Sequence, residues 1–394
     1  MRFARDLDIA EEATADAFEL ALRTWPTSGV PRSVEAWLIT AARRRAIDRI
    51  RRESRLRKAL GQLEGELLAG EPASGPTGYS RHAWYAENGS ATEPDDELRL
   101  AVLCAHPALS EQSQVMLMLR LACGVATESI AAAFLTKPAT AAARLTRAKQ
   151  SISSEAGAFT LPDDDEVEER LAAVRRATYV TYTMGHTAGD GHELRSGELV
   201  AHARHLASTL VAQHRDPENA GLLALIDLTE ARAPGRLVDG AQVLLENADR
   251  GSWDTDLIAS GLGLLDRALR ADPPGRYALQ AAIAAEHARA ASFVDTDWRR
   301  VVDLYAVLLS LEPNPTFAVG RAVALSHAVS PAAGLADLTE LGEVASLQSY
   351  PYLHAARADC LRRLGRPDEA RDAYRVAARY ARNDAERSFF LTAS

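Results

Sequence analysis

Side chains able to do covalent or metal chemistry are few in this sequence, and they are poorly arranged for it. His186, His192 and Glu193 lie close together in MGHTAGDGHELRSGE, but the stretch has neither the i, i+4 pairing nor the C-x-x-C spacing that fixes a tetrahedral metal site. They read as surface histidines. Cys104, Cys123 and Cys360 show no disulfide or zinc pattern and suit packing in a reducing compartment. The phosphate-cradling and nucleophile-elbow patterns G-x-x-x-x-G-K, G-x-G-x-x-G and G-x-S-x-G are absent, and the acid run DDDEVEE reads as solvated linker and helix start. Neither an enzyme nor a cofactor or metal site is expected.

Arginine is what recurs. The chain has 45 basic residues, of which only Lys58, Lys137 and Lys149 are lysines, so a solvated arginine face is cheap to obtain and composition alone leaves nucleic acid and solvent equally open. Local density favours nucleic acid: Arg32 to Lys58 holds ten basic and three acidic residues in a chain whose total charge is −9. Within WLITAARRRAIDRIRRESRLRK, at about 100° per residue, Leu38, Ile39, Ala42, Ala46, Ile47 and Ile50 form a packing half. Arg44, Arg45, Arg51, Arg52, Arg55 and Lys58 form a cationic half able to track phosphates, and Trp37 falls on their arc, where an aromatic can stack on an unpaired base. A second basic face comes later. Thr127 to Leu135 and Pro138 to Ile152 read as two short helices joined by a tight turn, with Pro138 in a first turn that tolerates it. Ala141, Leu145, Ala148 and Ile152 form the packing stripe of the second helix. Thr140, Arg144 and Arg147 lie opposite with Lys149 at the edge, placed to reach a major groove.

The elements that must carry these faces are helical throughout, and an all-α chain is expected. Asp8 to Trp25 has apolar positions at three and four with acids in its first turn, and should pack against the arginine helix; Pro26 to Arg32 should be the loop between them. Residues 59–94, rich in Gly, Pro and Ser, read as a linker in which Trp84 and Tyr85 cover a local apolar patch or anchor on a partner. Residues 95–158 form the helix-turn-helix unit, in which Ser110 N-caps a helix that ends at Gly124. Residues 159–394 are alanine-rich and helical. Their last unit places Ala358, Gly365, Ala370, Tyr374 and Ala377 at the offsets where tetratricopeptide helix pairs take small or aromatic residues, and Tyr305, Leu308 and Pro313 echo it, although a plain helical bundle gives similar spacing. Residues 1–158 balance 20 basic against 20 acidic groups, so the rear part, with 25 against 34, holds the whole net charge; this suits nucleic-acid contact in front and protein contact or self-regulation behind. No apolar run long enough to span a membrane and no leader is seen, and a cytoplasmic protein is expected.

The order AEEATADAFELALRTWP, AWLITAARRRAIDRIRRE, ELRLAVLCAHPALSEQSQVMLMLRL and ATAAARLTRAK resembles the extracytoplasmic-function (ECF) sigma factors of bacterial RNA polymerase, in the group with a tetratricopeptide-like (TPR-like) C-terminal extension. The resemblance covers nearly the whole chain and begins part-way into region 2, whose usual opening helix has no counterpart here. It implies a shortened sigma region 2 over 1–58, with Glu12, Asp16 and Phe18 on the clamp coiled coil of the largest polymerase subunit and the Trp37 to Lys58 helix on the −10 element. It implies region 4 over 95–158, with Thr140, Arg144, Arg147 and Lys149 reading the −35 element of promoter DNA. The extension is then a built-in regulator that touches the sigma domains. The alternative is a sigma-derived scaffold that binds a protein partner and no longer initiates transcription.

Overall fold

The computed structural model describes residues 7–46, 49, 96–134, 136–154, 164–187, 196–238, 241–381 and 383–393. The expectations for Ile47, Ile50, Arg51, Arg52, Arg55, Lys58, the linker with Trp84 and Tyr85, His192 and Glu193 lie outside the described residues.

The described part is helical apart from one two-residue ribbon. Helix α1 is Leu7–Ser28. Pro26 does not end it, contrary to expectation. It sits in the last turn, where its missing N–H forfeits one ladder bond, and the Thr27 and Ser28 hydroxyls donate to the Thr24 carbonyl at 3.0 and 2.8 Å. Gly29, at φ 81°, then turns the chain. The Ser33 hydroxyl accepts the Ala36 N–H and starts α2, residues 34–46. The two helices pack through small side chains: Ile9 and Ala13 meet Ala46, while Ala17, Ala21 and Ala41 are also buried.

Four helices follow: α3 (Asp96–Cys104), α4 (Glu111–Leu121), α5 (Thr127–Ala133) and α6 (Pro138–Ser154). Ser110 caps α4 as its sequence foretells, accepting the Ser113 N–H, and Gly124 at φ 64° ends that segment. The Lys137 carbonyl accepts the N–H groups of Thr140 and Ala141, which sets Pro138 as the first residue of α6. This unit does not close on itself. Its core, with Leu98, Leu117, Ile130 and Ile152, continues into Val167, Leu171 and Val174 of α7 (Asp164–His186) and Leu206 and Leu210 of α8 (Gly197–Gln213). The packing unit therefore runs past residue 158.

The rest is a succession of helices: α9 (Pro217–Glu230), α10 (Thr255–Ala268), α11 (Arg276–Arg289), α12 (Trp298–Leu311), α13 (Pro315–Ala328), α14 (Pro331–Leu341), α15 (Pro351–Arg363), α16 (Pro367–Arg379) and α17 (Asp384–Thr392). The strands β1 (Leu237–Val238) and β2 (Ala241–Gln242) pair antiparallel between α9 and α10. Three of the helices start with the same device, a capping side chain followed by proline: Asp216-Pro217, Asn314-Pro315 and Ser330-Pro331. From α12 onward each helix packs chiefly on its sequence neighbours, and the buried residues fall into a series of small cores. Gly365 departs from its expected role. It adopts φ 73° in the turn between α15 and α16 with nothing near a would-be Cβ, so it serves the turn and not close packing. Among the described residues no helix is long and apolar enough to cross a membrane.

Candidate nucleic-acid interface

Arg44 and Arg45 of α2, the described part of the cationic strip, are both exposed. The packing face is rotated from the one expected. Ala41 and Ala46 are buried, Leu38 and Ala42 half-buried, and Ile39 is 60% exposed. Trp37 turns with the packing face. Its ring meets Trp25 edge-on at 5.3 Å, which corrects its placement among the arginines. The physical reason lies on α1: the two indoles, brought together where the helices meet, bury more apolar area against each other than either would alone.

Helix α6 has the expected stripe, Ala141, Leu145, Ala148 and Ile152, all buried. Thr140 and Arg147 are exposed on the other side, Arg147 folding its Nε back to the Ala143 carbonyl at 3.3 Å. Arg144 is half-buried and donates to Gln112 Oε1 at 3.0 Å, which fixes its direction across α4. Lys149 departs from expectation. Its side chain is only 16% exposed and its Nζ is bound to Glu11 of α1, so a carboxylate already occupies this cation. The same carboxylate takes Arg120 of α4 at 3.4 Å, and α1 is thereby tied to both helices.

The three side chains expected to meet a protein partner do not share one face. Glu12 and Asp16 lie one turn apart, with Glu12 paired to Arg49. Phe18 points elsewhere, about 180° around from the buried Ile9 on an ideal helix, and is 54% exposed. Leu22, one turn on and 77% exposed, joins it, and Glu11 falls on the same side. Sequence reasoning missed Leu22 and Glu11; an apolar residue and an acid at helical spacing from Phe18, off the alanine stripe, were the available signal.

His186 is not a surface histidine. Its Nδ1 lies 2.9 Å from Glu230 Oε1 and its Nε2 lies 2.7 Å from a nitrogen of Arg236. The arginine can only donate, so the ring is neutral, accepting at Nε2 and donating at Nδ1. Burial lowers its pKa in agreement. Among the described residues no three His, Cys, Asp or Glu side chains group as a metal ion would need. Cys104 and Cys360 are buried and Cys123 half-buried, in packing positions.

Residues 1–56, which include α1 and the described part of α2, match sigma-70 region 2. Residues 170–269 match DUF6596, a family of unknown function. An uncharacterized protein of Rhizobium meliloti (strain 1021) is 39% identical over 392 residues, covering 99% of this chain and 90% of that protein. No solved structure matches. Region 2 is a segment through which sigma-70 proteins engage core RNA polymerase and DNA, so the match implies those partners in general terms. The end-to-end likeness places this chain in one family with the Rhizobium protein, and the region 2 match supports a sigma-70 family member.

Proposed function

We propose that the chain is an ECF-type sigma factor that binds core RNA polymerase and directs promoter-specific initiation, with no chemistry of its own. The observation that carries this reading is the exposed pair Arg44 and Arg45 on α2, inside the segment matching sigma-70 region 2. Guanidinium groups on a rigid helix suit phosphates of a melted −10 element. Helices α3 to α6 act as region 4. Pro138 starts a helix whose exposed Thr140 and Arg147, with Arg144 beside them, face outward as −35 recognition requires. Phe18 and Leu22 form the apolar part of the polymerase contact, on the clamp coiled coil, with Glu12 and Asp16 on a separate face of α1. The serial packing of α12 to α17 supports a TPR-like solenoid, and its role is to modulate the sigma domains from within the same chain.

The test is run-off transcription with core polymerase on a promoter selected by the protein itself. A start-specific transcript, and copurification of the full chain with core polymerase, are expected. Absence of both, with capture of a different protein, would establish the scaffold instead. The regulatory part is tested by truncation, and the cut must respect the shared core. A chain ending at 159 loses Val167, Leu171, Leu206 and Leu210 from that core, whereas one ending after Gln213 keeps them. Transcription should change in the longer truncant, and unchanged transcription would exclude regulation by the remaining helices.

A further inference from the structure

A half-open cleft of about 190 Å³ lies beside the β1–β2 ribbon, and its described walls all fall within residues 186–253, outside the surfaces discussed above. Its lining holds polar side chains, among them the guanidinium groups of Arg232 and Arg236, the indole of Trp253 and His186. It also holds aliphatic ones, Val243, Leu245 and Ala248. No carboxylate is among the described lining residues. The nearby acid, Glu230, is engaged by the Tyr182 hydroxyl at 3.0 Å and by His186, itself a lining residue.

Arg236 gives its Nη1 to His186, at 2.7 Å from Nε2 and 3.1 Å from the carbonyl, whereas the charge of Arg232 is poorly matched. Arg232 donates its Nε to the Leu228 carbonyl at 3.3 Å, and among the described residues no carboxylate pairs with it. Burial, together with the positive charges of Arg236 and Arg250, holds its pKa down to about 10. Trp253 is only 6% exposed, and its Nε1–H has no hydrogen-bond partner among the described residues. A buried donor left unpaired costs free energy that a bound acceptor would return. Arg250 lies over the indole face at 4.6 Å and polarises that N–H further. Residue 235 completes the arrangement: a Cβ there would come within 2.7 Å of Trp253 Nε1, and glycine leaves the nitrogen its place at the wall.

We propose that this cleft binds a small aliphatic carboxylate, its oxygens on Arg232 and the Trp253 N–H, beside Arg236, and its short chain against Val243, Leu245 and Ala248. The volume equals roughly six waters at their liquid share, which suits a carboxylate with a chain of about three or four carbons. A free inorganic anion would satisfy the donors but leave the aliphatic side chains uncovered. The site rests on none of the promoter-binding argument, and its test needs no polymerase.

The full-length chain is titrated with butyrate, inorganic phosphate and butylammonium at constant ionic strength, followed by calorimetry and thermal melting. Butyrate should bind saturably at one site per chain and raise the melting temperature, phosphate should bind more weakly, and butylammonium should do neither. Arg232→Gln should weaken butyrate about tenfold or more, as expected for loss of a charged hydrogen bond. Trp253→Phe keeps an aromatic ring but loses the fused pyrrole with its N–H; it should weaken butyrate several-fold and, because a buried side chain becomes smaller, melt somewhat below the parent without ligand. That second variant keeps the proposal testable if Arg232→Gln does not fold. No saturable butyrate binding, phosphate binding tighter than butyrate, or full affinity in Trp253→Phe would each overturn the assignment.

Discussion

Burial holds the pKa of His186, His214, His287 and His327 below the ordinary histidine value, His287 to about 3 and His327 to about 4. For His287 the charges of Arg232 and Arg250 add to burial; for His327 Arg363 does. The sign follows from linkage. Below about pH 6.5 the unfolded chain takes up protons that these folded rings refuse, so their contribution is fully present above that pH and is lost as the pH falls toward the folded values. His202 works the other way. Its contacts with Cys123 and Glu97 raise it to about 10, and its contribution is lost as the pH climbs from 6.5 toward that value. Urea midpoints should therefore drop between about pH 7 and about pH 5, and His287→Phe, which keeps the ring beside Trp298, should shrink the drop. Equal midpoints at the two pH values would refute the sign. Glycines give a second residue-scale contrast. A Cβ on Gly221 would lie 2.6 Å from the Ala278 backbone nitrogen, so Gly221→Ala forces α9 from α11 and should cost about 1–3 kcal/mol by denaturation. Gly365→Ala meets open space and carries only the positive-φ penalty, about 1 kcal/mol. Reversal of that order would sink the distinction.

Helix α6 is the element where sequence and structure agree most closely, because one period settles both faces. Alanine, leucine, alanine and isoleucine at three- and four-residue steps leave a single orientation that buries them all, and Thr140 and Arg147 are then forced outward. What the period cannot give is what the flanking cations touch. Gln112 and Glu11 come from other helices, so the engagement of Arg144 and Lys149 was not legible. The same reason hid the pairing of Trp37 with Trp25, and it hid the continuity of the core past residue 158, since α7 and α8 are themselves ordinary amphipathic helices. His186 is a further case: its Glu230 and Arg236 partners lie more than forty residues away. Arg147→Ala should weaken promoter-fragment binding and lower the slope of log affinity against log salt by about one, with the melting temperature unchanged. Leu145→Ala, on the buried stripe, should instead destabilise the fold by about 2–5 kcal/mol. An unaltered salt slope for Arg147→Ala would remove α6 from the DNA.

At the scale of the whole chain, one carboxylate joins the two halves of the proposed promoter-reading machinery. Glu11 of α1 holds Lys149 of α6 and Arg120 of α4, and it lies on the side of α1 that exposes Phe18 and Leu22. A partner that grips this apolar face must compete with the contact, and a recognition helix that needs Lys149 for phosphate must break it. On the proposed reading the folded chain is closed on itself where it must open, at a small cost: a partly exposed ion pair is worth about 1 kcal/mol, or roughly fivefold in population. Glu11→Gln removes the charge while keeping the shape. It should expand the chain in small-angle scattering and tighten binding to core polymerase by about that fivefold factor at low salt, and the gain should shrink as salt screens the pair in the parent protein. Glu12→Gln, whose partner Arg49 belongs to the same helix pair, should leave the compactness unchanged. If the two variants scatter alike and bind polymerase alike, α1 is not held by Glu11 and the closed arrangement has no bearing on initiation.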